Sequence, residues 1–116
     1  MSFILLLAVG TAAQSPSFQF RNEPPGGQRI TIFVWCEIDN DWANNRRAII
    51  LDAGQSSRLN LHPGHFVVVA KNQFGVEHRL RRVLAPGEVD RLKLSPVYGA
   101  PSGHQPPPDF VIKDNN

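Results

Sequence analysis

The stretch "LDAGQSSRLNLHP", Leu51 to Pro63, is followed thirty-three residues later by "LAPGEVDRLKLSP", Leu84 to Pro96. In each copy a leucine ends an apolar run and a glycine follows three positions on. Arg-Leu-x-Leu then opens a second run. Leucines two residues apart share a face only if the chain is extended, so the phrase describes strand, turn and strand. Glycine suits the turn because such turns commonly need a positive φ. The matched positions are Leu51 and Leu84, Gly54 and Gly87, Arg58 and Arg91, Leu59 and Leu92, Leu61 and Leu94, and Pro63 and Pro96. Two such units can occupy related places in one sandwich; two copies are too few for a solenoid.

The remaining chain follows the same grammar. Strands are expected at Ser17–Arg21, Arg29–Ile38, Arg46–Asp52, Ser57–Leu61, Phe66–Lys71, Val76–Leu84 and Val89–Leu94, separated by "NEPPGGQ", "DNDWANN", Ala53-Gly54, "HPGH", "NQFG" and "APGE". "FVVVAK" is apolar on both faces and reads as central in its sheet. No segment repeats apolar residues at helical spacing over ten or more positions. The pattern predicts an all-β fold, a single seven-stranded antiparallel β-sandwich of the Ig-like or prealbumin-like kind. A chain of 116 residues buries one core, so one domain is expected.

Its ends read differently. In "MSFILLLAVGTAAQS" the run Phe3 to Val9 is apolar, and Thr11-Ala12-Ala13 supplies small residues of the type a signal peptidase accepts. Residues 1–13 are therefore expected to be a signal peptide, although no Lys or Arg precedes the apolar run, and it is too short to span a bilayer. The mature chain is expected to be exported and to carry no transmembrane span. Residues 14–95 form the expected sandwich, and residues 96–116 an extended C-terminal tail, stiffened by Pro106-Pro107-Pro108.

The order "RLNLHPGHFVVVAKNQFG" followed by "RRVLAPGEVDRLKL" resembles the small prealbumin-like modules typified by PEGA and carboxypeptidase regulatory-like domains. The resemblance runs from about Arg46 to Leu94. It is carried by His62-Pro63-Gly64, Phe66 to Val69, Phe74-Gly75, Pro86-Gly87 and Leu92-Lys93-Leu94. It implies a non-catalytic accessory or binding domain of the cell envelope or extracellular space. Fold analogy of this kind names a class and no activity.

Glu37, Asp39 and Asp41 lack the glycine and the closing glutamate of a calcium loop and read as a polar hairpin loop. His62 and His65 flank a turn and would be the nucleus of a metal site, but such a site needs three or four converging ligands. Cys36 shares the parity of Ile30, Ile32, Val34 and Ile38, which places its sulfur toward the core as a small inert hydrophobe. No catalytic constellation is present, and neither enzymatic activity nor a cofactor is expected. A formal charge of +2 and the division of "HRLRR" between two faces give no reason to expect a nucleic-acid partner.

Surface features remain. With Ile30, Ile32, Val34 and Cys36 inward, Thr31, Phe33, Trp35 and Glu37 face out. Phe33 and Trp35 form either a partner-binding patch or a surface covered by the chain itself. Trp35 and Trp42 also offer a sugar-stacking alternative. Phe110, Val111 and Ile112 form an apolar tip on the tail, suited to docking on another envelope protein or a second copy.

Overall fold

The computed structural model describes residues 15–23, 27–97 and 107–115. Within them the chain forms β1 (Ser17–Asn22), β2 (Ile30–Cys36), a one-turn helix α1 (Trp42–Asn45), β3 (Arg47–Leu51), β4 (Ser56–Asn60), β5 (Gly64–Asn72), β6 (Glu77–Leu84), β7 (Val89–Val97) and β8 (Asp109–Asp114). One sheet, here sheet A, has the order β4-β1-β7-β8, and sheet B has the order β3-β2-β5-β6. The β-sandwich expectation holds at this level. Eight strands replace the expected seven, and one pairing, β1 with β7, is parallel.

The duplicated phrase explains the parallel pair. Each copy carries the chain from an edge of sheet B, β3 or β6, across to sheet A, as β4 or β7. Exchanging β2–β3–β4 for β5–β6–β7 leaves the order of sheet B unchanged and places β4 and β7 on opposite sides of β1. In sheet B the exchange turns about the buried pair Val34 and Val68, and in sheet A about Gln19, which lies opposite both Arg58 and Arg91. The exchange reverses strand direction, so β4 and β7 run oppositely. A strand inserted between them must be parallel to one.

Local geometry repeats with the order. Gly54 and Gly87 both take positive φ, 86° and 75°. Gln55 and Glu88 each donate a backbone N–H to the carbonyl three residues back, at 3.0 Å. Each also accepts that residue's N–H on a side-chain oxygen, at 2.8 and 2.9 Å. The same two residues offer their carbonyls to opposite ends of β1: Asn22 donates to Gln55 and Ser17 to Glu88, both at 2.9 Å. The paired leucines also bond just beyond opposite ends of β1, Leu61 donating its N–H to the Pro16 carbonyl at 2.9 Å and Leu94 accepting the Glu23 N–H on its carbonyl at 3.0 Å.

Alternation drives the rest. Phe18, Phe20, Leu59, Leu92 and Leu94 from sheet A meet Ile30, Ile32, Val34, Leu51, Phe66, Val68, Ala70 and Leu84 from sheet B in one core. Leu59 and Leu92 thus face inward, as their spacing requires. Cys36 packs at the margin of that core. Ile38 does not follow it: β2 ends at Cys36 and Ile38 is 84% exposed, because parity has no meaning beyond the last paired residue. The "DNDWANN" loop contains a helical turn instead of being wholly irregular.

The largest correction concerns the C-terminal tail. Asp109–Asp114, expected to extend away from the sandwich, form β8 and pair antiparallel with β7 from Leu92↔Asp114 to Val97↔Asp109. Phe110 is 1% exposed within the core, and Ile112 packs against it. Burying a phenylalanine gains roughly 1.5–3 kcal/mol, and the Pro-rich stretch ahead of β8 does not stop the chain from returning. Three buried amides receive it. Asn72 Nδ2 donates to Gln28 Oε1 at 2.9 Å and to the Pro108 carbonyl at 2.7 Å, while Gln28 Nε2 donates to the Asp109 carbonyl at 2.8 Å. Asn22 Nδ2 extends the network to the carbonyls of Gln28 and Leu51.

Polar side chains link β8 to the facing edge of sheet B. His78 Nε2 lies 2.7 Å from Asp109 Oδ1, with its ring edge-on to Phe110. Arg82 pairs with Asp114 and reaches to 3.4 Å from Asp90, without hydrogen-bond geometry at its Nε. Burial raises the Asp90 carboxyl above its ordinary range despite that neighbouring cation.

Candidate functional site

The outer face of sheet B carries the aromatic residues singled out in the sequence. Register puts Phe33 beside Val69 and Trp35 beside Val67 on β5, and these valines lie beside Arg79 and Arg81 on β6. Phe33 and Trp35 do face outward, and both are half-buried. Val67 and Val69 are buried on this same outer face, which means the flanking long side chains roof them.

What covers the rings is specific. Arg46 places its guanidinium carbon 4.5 Å from the centre of the Phe33 ring, and Arg79 sits 5.7 Å from the centre of Trp35. Trp42 stacks on Trp35 with centroids 4.7 Å apart and planes 29° from parallel. Such contacts contribute about 0.5–1.5 kcal/mol each beyond area burial. The turn that delivers Trp42 is built by acidic residues. Asp39 accepts the Asp41 N–H at 2.8 Å and Asn45 Nδ2 at 3.0 Å, and Asp41 accepts from Asn44 Nδ2 at 2.8 Å. The hydrogen bond from Asn45, followed by that from the Asp41 backbone, holds the Asp39 carboxyl below its ordinary range. Glu37 pairs with Arg81 at 3.2 Å. The three acids that resembled an incomplete calcium loop are thus engaged in shaping and bracing this face.

Beside the rings lies an open recess of about 320 Å³ lined by Arg29, Thr31, Phe33, Lys71, Asn72 and Gln73. Arg29 is turned toward Asp52, at 2.8 Å. Exposed Ile50 and Val83 continue the surface on the two edge strands.

The other expected sites are dispersed. Phe110 lies in the core, Val111 stands opposite Ser95 on sheet A, and Ile112 packs inward, so the apolar tip is part of the sandwich, and sheet B separates Phe110 and Ile112 from Phe33 and Trp35. His62 turns onto its own neighbours, with Nδ1 2.8 Å from the Pro63 carbonyl and its ring 5.2 Å from that of Phe66. His104 lies outside the described residues, as does the expected signal segment. Among the described residues no three His, Cys, Asp or Glu side chains converge as a metal site would require, and no helix is long and apolar enough to cross a membrane.

The cationic lids escaped the sequence reading. Arg46 opens an expected strand and Arg79 belongs to "HRLRR", whose charges divide between two faces; neither pattern reveals a ring beneath. The signal available was strand register, which sets Arg79 two strands away from β2 and diagonal to Trp35 only once β5 is known to lie between them.

Comparison with known proteins supports the fold alone. No family model and no curated protein matches the chain. Among solved structures it is similar to an NMR structure of a protein from Eubacterium rectale, with TM-score 0.55, 11% identity, and coverage of 87% of this chain and 88% of that one. It is also similar to listeriolysin O, with TM-score 0.43 and 13% identity over 88% of this chain and 23% of that one. A candidate cell adhesion protein from Bacteroides fragilis matches with TM-score 0.40 and 12% identity over 90% of this chain and 45% of that one.

Proposed function

We propose that this chain is an exported, non-enzymatic β-sandwich, prealbumin-like in kind, that serves as an interaction or structural subunit of a cell-envelope or extracellular assembly. The observation that carries the reading is the outer face of sheet B. There Trp42 stacks on Trp35, Arg79 approaches the Trp35 ring, Phe33 lies beneath Arg46, and Ile50 and Val83 stand exposed alongside. Aromatic and arginine side chains are the groups that most often anchor protein interfaces. The resemblance to PEGA-type modules over about residues 46–94 supports the same class. The apolar N-terminal run with its small residues supports export.

Size-exclusion chromatography of native extract, probed for this chain, tests the reading. The wild type should elute well above its 12.9 kDa mass, and a Trp42→Ala/Arg46→Ala variant should elute as a lone chain while still unfolding in one cooperative transition. Elution of the wild type as a lone chain would remove the reading. N-terminal sequencing of the same material should find a start near Gln14, and an intact Met1 would overturn the compartment.

A further inference from the structure

The outer face of sheet A gathers cations that are scattered along the sequence. Arg58 on β4, Gln19 on β1 and Arg91 on β7 stand side by side in one register row. The next row along β1 runs Ser56, Arg21, Lys93, Lys113, crossing all four strands. Arg21, Lys93 and Lys113 therefore occupy adjacent strands about 4.8 Å apart, three like charges spanning about 10 Å. Like charges directly opposite each other on a sheet oppose folding. The carboxylate that reaches among them is Glu23, which accepts the Ser95 hydroxyl at 2.5 Å and lies 4.0 Å from Lys93. That hydroxyl first, and then the charges of Lys93, Arg21 and Lys113, hold Glu23 below its ordinary range, as expected if all three cations crowd one spot. Among the described residues, one carboxylate does not balance five cations.

The neighbours of these cations narrow the ligand class. Between the charges stand Gln19, Ser56 and Asn60, amides and a hydroxyl able to donate and accept. No aromatic side chain of the described strands points outward from this sheet; Phe18, Phe20 and Phe110 are all turned inward. Rings are what single-stranded nucleic acids stack upon and what anchors a protein at a bilayer interface. A protein partner would call for apolar anchors at the centre of the patch. An extended chain carrying both hydroxyls and anionic groups fits alternating amide and guanidinium groups, the latter able to donate paired hydrogen bonds to a carboxylate or to two oxygens of a sulfate.

We propose that the outer face of sheet A, through Arg21, Arg58, Arg91, Lys93 and Lys113, binds a linear acidic polysaccharide. The surface lies opposite the aromatic face of sheet B and does not depend on the reading given above.

Heparin, as a sulfated polysaccharide, is the probe. The full chain on immobilised heparin should be retained at low salt and released as salt rises. An Arg21→Gln/Lys93→Gln/Lys113→Gln variant should elute at markedly lower salt, its salt dependence reduced by about two to three charges, and should melt at an equal or higher temperature because the like-charge row is relieved. An Arg46→Gln/Arg79→Gln variant, altered on the other face by a similar loss of charge, should be retained nearly as well as the wild type. Absence of retention at low salt, equal weakening by both variants, or tighter binding to single-stranded DNA or to phosphatidylglycerol vesicles than to heparin would each overturn the proposal.

Discussion

The two halves of the sandwich, β2–β4 and β5–β7, share a turn, a pair of inward leucines and a place beside β1, yet they end differently. β4 stands at an edge of sheet A, whereas β7 is covered on its far side by β8. The first half is closed by its own core contacts, and the second depends on a strand that arrives from the C-terminus. Equivalent grammar thus specifies equivalent backbone without specifying equivalent burial. A leucine beside an edge and a leucine between two neighbours sit in different surroundings.

The strongest way to break this comparison is Phe110→Ala. The ring is enclosed between β7, β6 and the core, so its loss should cost about 3–5 kcal/mol in chemical denaturation. A shift under about 1 kcal/mol would mean that β8 does not close the second half. Next come the matched leucines. Leu92→Ala should cost about 3–5 kcal/mol and Leu59→Ala about 2–3 kcal/mol, because Leu92 is fully enclosed on a central strand and Leu59 lies on an edge strand that can relax toward the gap. Equal losses would show that the added strand does not distinguish the halves.

Asn72→Ala sharpens the comparison at the amide network. It removes the donors to Gln28 and Pro108 and the acceptor for the Phe74 and Val76 N–H groups, and should cost about 1–3 kcal/mol. Asn60→Ala, exposed on the first half's edge strand, should cost no more than about 0.5 kcal/mol. The smallest effect concerns pH. The contact with His78, followed by the Phe110 N–H, depresses the Asp109 carboxyl below its ordinary value. Its contribution is therefore fully present above the ordinary carboxylate range and is lost as pH falls through the depressed value. Both side chains are partly exposed, so the contribution should stay within about 1 kcal/mol. Melting curves of the wild type and Asp109→Asn between neutral and acidic pH should converge as pH falls; parallel curves would place the acid sensitivity elsewhere.

Part of the candidate face was legible from alternation. Parity on β2 turned Phe33 and Trp35 outward, because every residue from Ile30 to Cys36 is paired and the period of two cannot slip. The same rule failed at Ile38, past the last pair, where nothing enforces it. Trp42 could not be placed from sequence, since its position depends on how Asp39 and Asp41 close a helical turn over a neighbouring strand.

The sequence by itself determined seven of the eight strands, the glycine turns and the inward leucines, because these depend on residues a few positions apart: a period of two, a glycine with positive φ, a side chain that returns to its own turn. Tertiary structure alone decided that Phe110 lies in the core and that Arg21, Lys93 and Lys113 stand in one row, although Lys93 and Arg21 are far apart along the chain. Those outcomes follow from which strands become neighbours. That choice is made by burial of the whole apolar surface at once, and no local pattern carries it.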